Sequence, residues 1–388
     1  MLTPFEVATH VVLGREAAAA RELDAAPPPR TPVAAFEHEL LRALSRPPCL
    51  VGFSGGRDSS AVLGLAVRVA RKAGLPDPVP VTLRFRGAPD AREDEWQERV
   101  IAHVGIDEWV RLSLDGEADL VGPTAAGLMD RGGLRYPYNV HLVAPMVAAA
   151  RGGSLVTGLG GDETLSPGSR ALAVLARHVS PSRRDVLRVA LALGPKRARA
   201  HVLERRHPLR FDWLRDEANR KLAQAWARDL AARPLRRDRE LRAWWTERYL
   251  RLTIASLARL GEQENVEVLH PFASAASVAA LARAGGAWGF PSRDAAMHVL
   301  FGDVLPAAVT QRPTKASFNS VLWNRHTKAF VAGLQPDELG DALGDLGLHE
   351  IVDPGALRAH WSGPVPRANS FLLLQACWLA RRVAPGRR

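Results

Sequence analysis

Cysteine is almost absent from this chain: Cys49 and Cys377 are the only two in 388 residues. So few exclude a disulfide framework and a four-cysteine zinc or iron–sulfur site, and they fit a reducing compartment, so a cytoplasmic location is expected. Long apolar runs are missing as well. No stretch reaches the roughly eighteen residues that a membrane span needs, so no membrane association is expected. The opening Met1-Leu2-Thr3-Pro4-Phe5-Glu6 lacks a basic segment leading into an apolar one, so no signal peptide is read. Neither a His-x-Glu nor a Cys-x-x-Cys ligand set for catalytic zinc occurs, and no repeat of fixed period is found.

Aromatic residues make up only 6% of the chain, although its net charge is +11. The excess arginine concentrates between Arg170 and Arg259. Such a stretch reads either as a surface for nucleic acid or an acidic peptide or as a solvated helical face. Few aromatics are interleaved there to stack on bases, which favours the solvated face. Nucleic acid is therefore not expected as a partner.

The length suffices for one large α/β domain or two subdomains. Residues 1–33 end in Pro27-Pro28-Pro29 and read as a lead-in or linker. A helix is predicted over 33–45, with Phe36, Leu40, Leu41 and Leu44 at helical spacing. Strands are predicted at 49–53, 79–85, 109–114 and 155–158, with helices near 59–73, 91–104, 118–129 and 139–151 between them. This alternation predicts an α/β core over 34–166 built on a doubly wound parallel sheet. Residues 167–388 read as mainly helical and are expected to close over the sheet.

Two segments carry the chemistry. Ser54-Gly55-Gly56-Arg57-Asp58-Ser59-Ser60 joins a short apolar strand to an amphipathic helix. Glycines let the backbone turn tightly, and unpaired N–H groups at a helix start favour an anion, most naturally phosphate. The Gly-Lys-Ser/Thr ending of the NTPase P-loop is missing. The loop instead resembles the pyrophosphate loop of the ATP pyrophosphatases. The second segment, Ser154-Leu155-Val156-Thr157-Gly158-Leu159-Gly160-Gly161-Asp162-Glu163, is again a short strand running into a glycine loop that ends in acids. Together the two resemble the synthetase domain of the asparagine synthetase class, whose relatives include β-lactam synthetases and lasso peptide cyclases.

The resemblance covers roughly residues 35–325 and implies an ATP pyrophosphatase-type (adenine nucleotide alpha hydrolase-like) fold. It also implies an ATP- and magnesium-dependent ligase that adenylates a carboxylate, releases pyrophosphate and passes the acyl group to an amine or ammonia. Asp58 and Asp162, each closing a glycine loop, are the expected metal ligands, since magnesium takes one or two carboxylates plus phosphate oxygens. Alternatively, either is an N-cap. Ser54, Gly55, Gly56, Ser59 and Ser60 are expected at the pyrophosphate end of ATP, Gly158 and Gly160 beside the nucleotide or activated carboxylate, and Leu83 at adenine through its main chain. Asn265–Phe272 resembles the family's Gly-Leu-Glu-x-Arg-x-Pro-Phe segment, with Arg259 at the family's preceding arginine. Glu267 there reads either as a substrate contact or as a structural anchor. Arg312-Pro313-Thr314-Lys315 resembles the family's Arg-x-x-Lys, which makes Lys315 the expected catalytic cation. His141 reads as a general base or, more in keeping with its setting, a structural histidine.

Departures narrow the reading. Residue 2 is Leu where glutamine-dependent relatives carry a catalytic cysteine, and few residues precede Ser54, so no glutaminase activity is expected. Leu159 stands where asparagine synthetases have Glu and β-lactam synthetases have Tyr, and Leu269 replaces the family's internal arginine. An apolar residue at 159 points toward lasso-cyclase-like or other biosynthetic amide ligases. A leader peptide or partner subunit stays open. Two other readings remain: a tRNA-modifying ATP pyrophosphatase of the lysidine synthetase kind, and a non-catalytic partner that keeps the nucleotide fold.

Overall fold

The computed structural model describes residues 2–25, 31–86, 93–312, 319–364 and 366–383. Five parallel strands form one sheet in the order β3-β2-β1-β4-β5: β1 Cys49–Gly52, β2 Val79–Phe85, β3 Val110–Leu114, β4 Ser154–Val156 and β5 Glu267–Leu269. The chain runs outward from β1 to β3, then returns to lay β4 on the other side of β1. That reversal opens a crevice at the carboxyl ends of β1 and β4, where doubly wound sheets bind ligands.

Period-two alternation buries both faces of the sheet. Val51, Phe53, Val156 and Leu269 pack into one core with helices α3 (Pro32–Leu44) and α4 (Arg57–Ala73). Leu50, Val81 and Leu155 pack into another with Val147 and Leu260, which lie on helices Ala144–Ala149 and Arg248–Gln263. Pro32 and the Thr31 side chain, which accepts from Ala34 N, start α3 one residue before the predicted position.

Three features differ from the sequence reading. β5 comes from within the region read as mainly helical; three residues are too few to show an alternating pattern. Residues 118–122 form turns, and the helix expected there spans Pro123–Gly132. Residues 2–25, within the stretch read as a lead-in or linker, are folded onto the molecule as α1 (Pro4–Thr9) and α2 (Ala17–Ala25). Trp213 Nε1 donates to Ala8 O across 2.9 Å and Trp245 Nε1 to Ala19 O across 3.2 Å. An indole N–H buried beside a backbone carbonyl ties distant segments together.

The two large cores also ignore the expected boundary near residue 166. Phe272, Leu281 and Phe301 join the core under the sheet, whereas Leu120, Val121 and Met129 join a helical core with Ala8, Trp213, Leu343 and Phe371. Both cysteines are buried thiols, and burial pushes Cys377 up to about 12. No described helix is long and apolar enough to cross a membrane.

Candidate nucleotide and active site

The first loop leaves β1 and enters α4 through Gly55, whose φ of +84° suits glycine. The loop bonds to itself. Gly56 N donates to Ser54 Oγ at 3.2 Å, Ser54 N to Ser59 Oγ at 3.3 Å, and the two hydroxyls lie 3.1 Å apart. Ser54 is exposed on the rim, Ser59 is buried, and Ser60 is wholly buried with its hydroxyl unpartnered. Gly56 caps α4 without a side-chain acceptor, so the first N–H groups of the helix point to the rim free of a capping oxygen.

Two side chains outside the motif hold this loop. Gln97 Nε2 donates to Ser54 O at 2.9 Å, and Arg312 Nη1 donates to Gly55 O at 2.9 Å. Arg312 is itself paired with Glu93, both nearly excluded from water, and stacks over Trp96 at 4.9 Å. A guanidinium with a carboxylate, a carbonyl and a ring face to meet is well satisfied for a buried cation.

The second loop leaves β4 and turns through Gly160 into the short helix Gly161–Leu165. It lies directly on the first. A Cβ at Gly158 would fall 3.2 Å from Ser59 N, and one at Gly161 only 2.4 Å from Asp58 Cγ. Glycine at 161 is therefore what lets the Asp58 carboxylate reach the second loop.

Asp58 and Asp162 converge on one cation. Arg293, the first residue of helix Arg293–Phe301, donates from Nη2 to Asp58 Oδ1 at 2.6 Å and from Nη1 to Asp162 Oδ1. Burial pulls the Arg293 guanidinium down, but hydrogen bonds and charge from the two aspartates outweigh it and hold the group above its ordinary value. One guanidinium spanning both carboxylates means that a single cation can reach both. The donor set thus fits magnesium bound by two carboxylates plus phosphate oxygens, a mode that needs no larger protein cage. Among the described residues no cluster of three or more metal-binding side chains exists.

Beside the loops lies a cavity of about 360 Å³, lined mostly by apolar residues including Phe53, Val81, Leu83, Met146, Leu159 and Leu257, with Ser54 and Thr157 at its polar side. Leu83 and Leu159 both contribute wall to it. His270 Nδ1 lies 2.7 Å from Thr157 Oγ1, and burial lowers that histidine to about 4, so it stays neutral at physiological pH.

Glu267 falls elsewhere. It is the first residue of β5, at the amino end of the sheet and opposite to the loops, where its carboxylate accepts from Arg42 Nε at 2.8 Å. Strand direction decides this, and the placement corrects the substrate-contact reading in favour of an anchor. His141 is likewise buried, with Nε2 2.9 Å from Ala118 O and Nδ1 3.2 Å from Tyr138 O, and burial lowers its pKa. Both ring nitrogens are occupied by backbone, which is a structural role. Lys315 lies outside the described residues. Arg293, Glu93 and Gln97 belong to the site and carry no motif in the sequence, and Arg312, which opens the Arg-x-x-Lys segment, holds the first loop through Gly55 O, a role that the segment did not reveal; Ser292, an N-cap acceptor ahead of a helix, is a local signal near Arg293.

A parallel sheet with two glycine loops meeting at its reversal point defines an ATP pyrophosphatase-like α/β fold with a helical C-terminal region. The asparagine synthase family model matches residues 39–376, and the chain belongs to that family of ATP-dependent, amide-bond-forming carbon–nitrogen ligases. No curated protein matches the chain.

Proposed function

We propose that the protein binds ATP with magnesium at the crevice between β1 and β4 and adenylates a substrate carboxylate. The carboxylate oxygen attacks the α-phosphorus, the bond to the β-phosphate oxygen breaks, and pyrophosphate leaves. An amine or ammonia nitrogen then attacks the acyl carbon, loses a proton, and AMP departs. The reading rests most on one observation: Asp58 and Asp162, from different loops, share a single cation in Arg293.

In this reading the magnesium ion supplies charge neutralisation on the phosphates, held by Asp58 and Asp162. Ser54, Gly55, Gly56 and Ser59 take the pyrophosphate end with the N–H groups of α4. Ser60, wholly buried, supports the helix from behind. Gly158 and Gly160 let the second loop approach the α-phosphate, and adenine lies in the apolar cavity against Leu83. Arg293 exchanges its two carboxylates for phosphate oxygens, and Lys315 keeps the cationic role that the family resemblance implies. Positioning of two reactants in this way can supply about 7–11 kcal/mol of a barrier. Leu159 makes the wall beside the activated carboxylate apolar, which favours an amide ligase of the lasso-cyclase kind, acting on a peptide or apolar acid, over asparagine synthesis. A cytoplasmic setting accords with the buried, unpaired cysteines.

The test is pyrophosphate release screened across candidate acids and amines. Asp58→Asn should abolish acid-dependent release; release equal to that of the unaltered protein would remove the site.

A further inference from the structure

A second cavity, of about 590 Å³, shares no lining residue with the one beside the loops. Leu252, Ala255, Ser256 and Arg259 line it from one stripe of helix Arg248–Gln263, while Leu257, on another face of that helix, lines the first cavity. Its other wall is Gly132, Leu134, Arg135 and Tyr136.

Arg135 is the unusual group. Its guanidinium folds back over Gly132, where a Cβ would fall 2.5 Å from Nη2. Its Nε and Nη1 are shut off from water and have no hydrogen-bond partner. Burial, then the charges of Arg259 and Arg131, lower its pKa. Neither Arg131 nor Arg259 has an ion-pair partner among the described residues, and the one acid on the lining, Glu262, is not paired either. Crowded like charges are costly, and of the Arg135 nitrogens it is Nη2, rather than the two shut off from water, that is left to face the cavity. On the lining itself two guanidiniums, Arg135 and Arg259, face one carboxylate, an excess of one positive charge to which Arg131 adds from close by, and the planar Arg fork suits oxyanions.

We propose that this cavity is a binding site for a small, multiply charged oxyanion, held between Arg135 and Arg259 with Arg131 nearby. Leu2, Leu134 and Leu252 form an apolar wall for the body of the ligand. The site stands apart from the ligase reading and does not depend on it.

The experiment is calorimetry on the full chain with inorganic phosphate, pyrophosphate and malonate, without magnesium and at matched ionic strength. Arg135→Gln and Arg259→Gln should each weaken one binding component about tenfold or more, as expected for charge-assisted bonds, and leave binding at the glycine loop intact. Arg259 is exposed, so Arg259→Gln keeps the test valid if Arg135→Gln folds poorly. Tighter phosphate or pyrophosphate than malonate assigns a phosphorylated ligand, and the reverse order a dicarboxylate; either supports the site. Oxyanion binding unchanged in both variants, or confined to the glycine loop in the unaltered protein, overturns it.

Discussion

Arg293 Nη2 lies 2.6 Å from Asp58 Oδ1, joining residues 235 positions apart, and the same guanidinium reaches Asp162. The cation between the loops is thus part of the protein itself, and in the proposed magnesium site it competes with a divalent ion for the two carboxylates. Arg293→Met should strengthen Mn²⁺ binding in the absence of nucleotide, read by electron paramagnetic resonance. It should also slow pyrophosphate release by about a hundred- to a thousandfold, the usual loss for one preorganised donor. Weaker Mn²⁺ binding in the variant would contradict this competition.

Gly161 sets the approach of the two loops. In Gly161→Ala the new methyl would meet Asp58 Cγ at 2.4 Å, and the carboxylate has to swing away. Acid-dependent pyrophosphate release should fall at least tenfold while the circular dichroism spectrum stays the same. Full activity would show that Asp58 is free to act from another rotamer.

Arg312 and Glu93 are a buried pair, with side chains 4% and 6% exposed. Removing one partner leaves the other's buried charge less well compensated, at a cost of up to about 3–5 kcal/mol. Arg312→Met should therefore lower the denaturation midpoint, and Arg312→Met with Glu93→Gln should recover part of the loss. The double variant should still bind ATP poorly, because Gly55 O has lost its donor.

His270 makes stability pH-dependent. Its pKa is about 4 folded, against 6.5 when free of burial. The unfolded chain therefore binds the proton more readily, and the contribution is fully present above about pH 6.5. It falls as pH drops toward 4 and levels below that, for a total on the order of 3 kcal/mol. Urea midpoints measured between pH 7 and 4 should fall less steeply in His270→Gln; identical slopes would show that His270 does not drive the change.

Much of this was legible in the chain alone. Both glycine loops, four of the five strands and the order of strand and helix follow from local patterns of apolar residues and turn-forming glycines. β5 escaped because Glu267–Leu269 is too short for a period to show. Glu267 sits in a recognisable segment, yet only the direction of its strand reveals that it faces away from the loops. The folding of residues 2–25 escaped for a related reason: their packing depends on Trp213 and Trp245, far along the chain.

Local order, then, was set by short-range steric and hydrophobic preferences that any window of residues expresses: strand, glycine turn, helix, and two acids placed at helix starts. What brought Arg293 between those acids and Arg312 under the first loop was long-range packing of helices from the second half of the chain. A charged side chain on a distant helix carries no periodic signature, and its partner is decided only when the cores close and bring the two within reach.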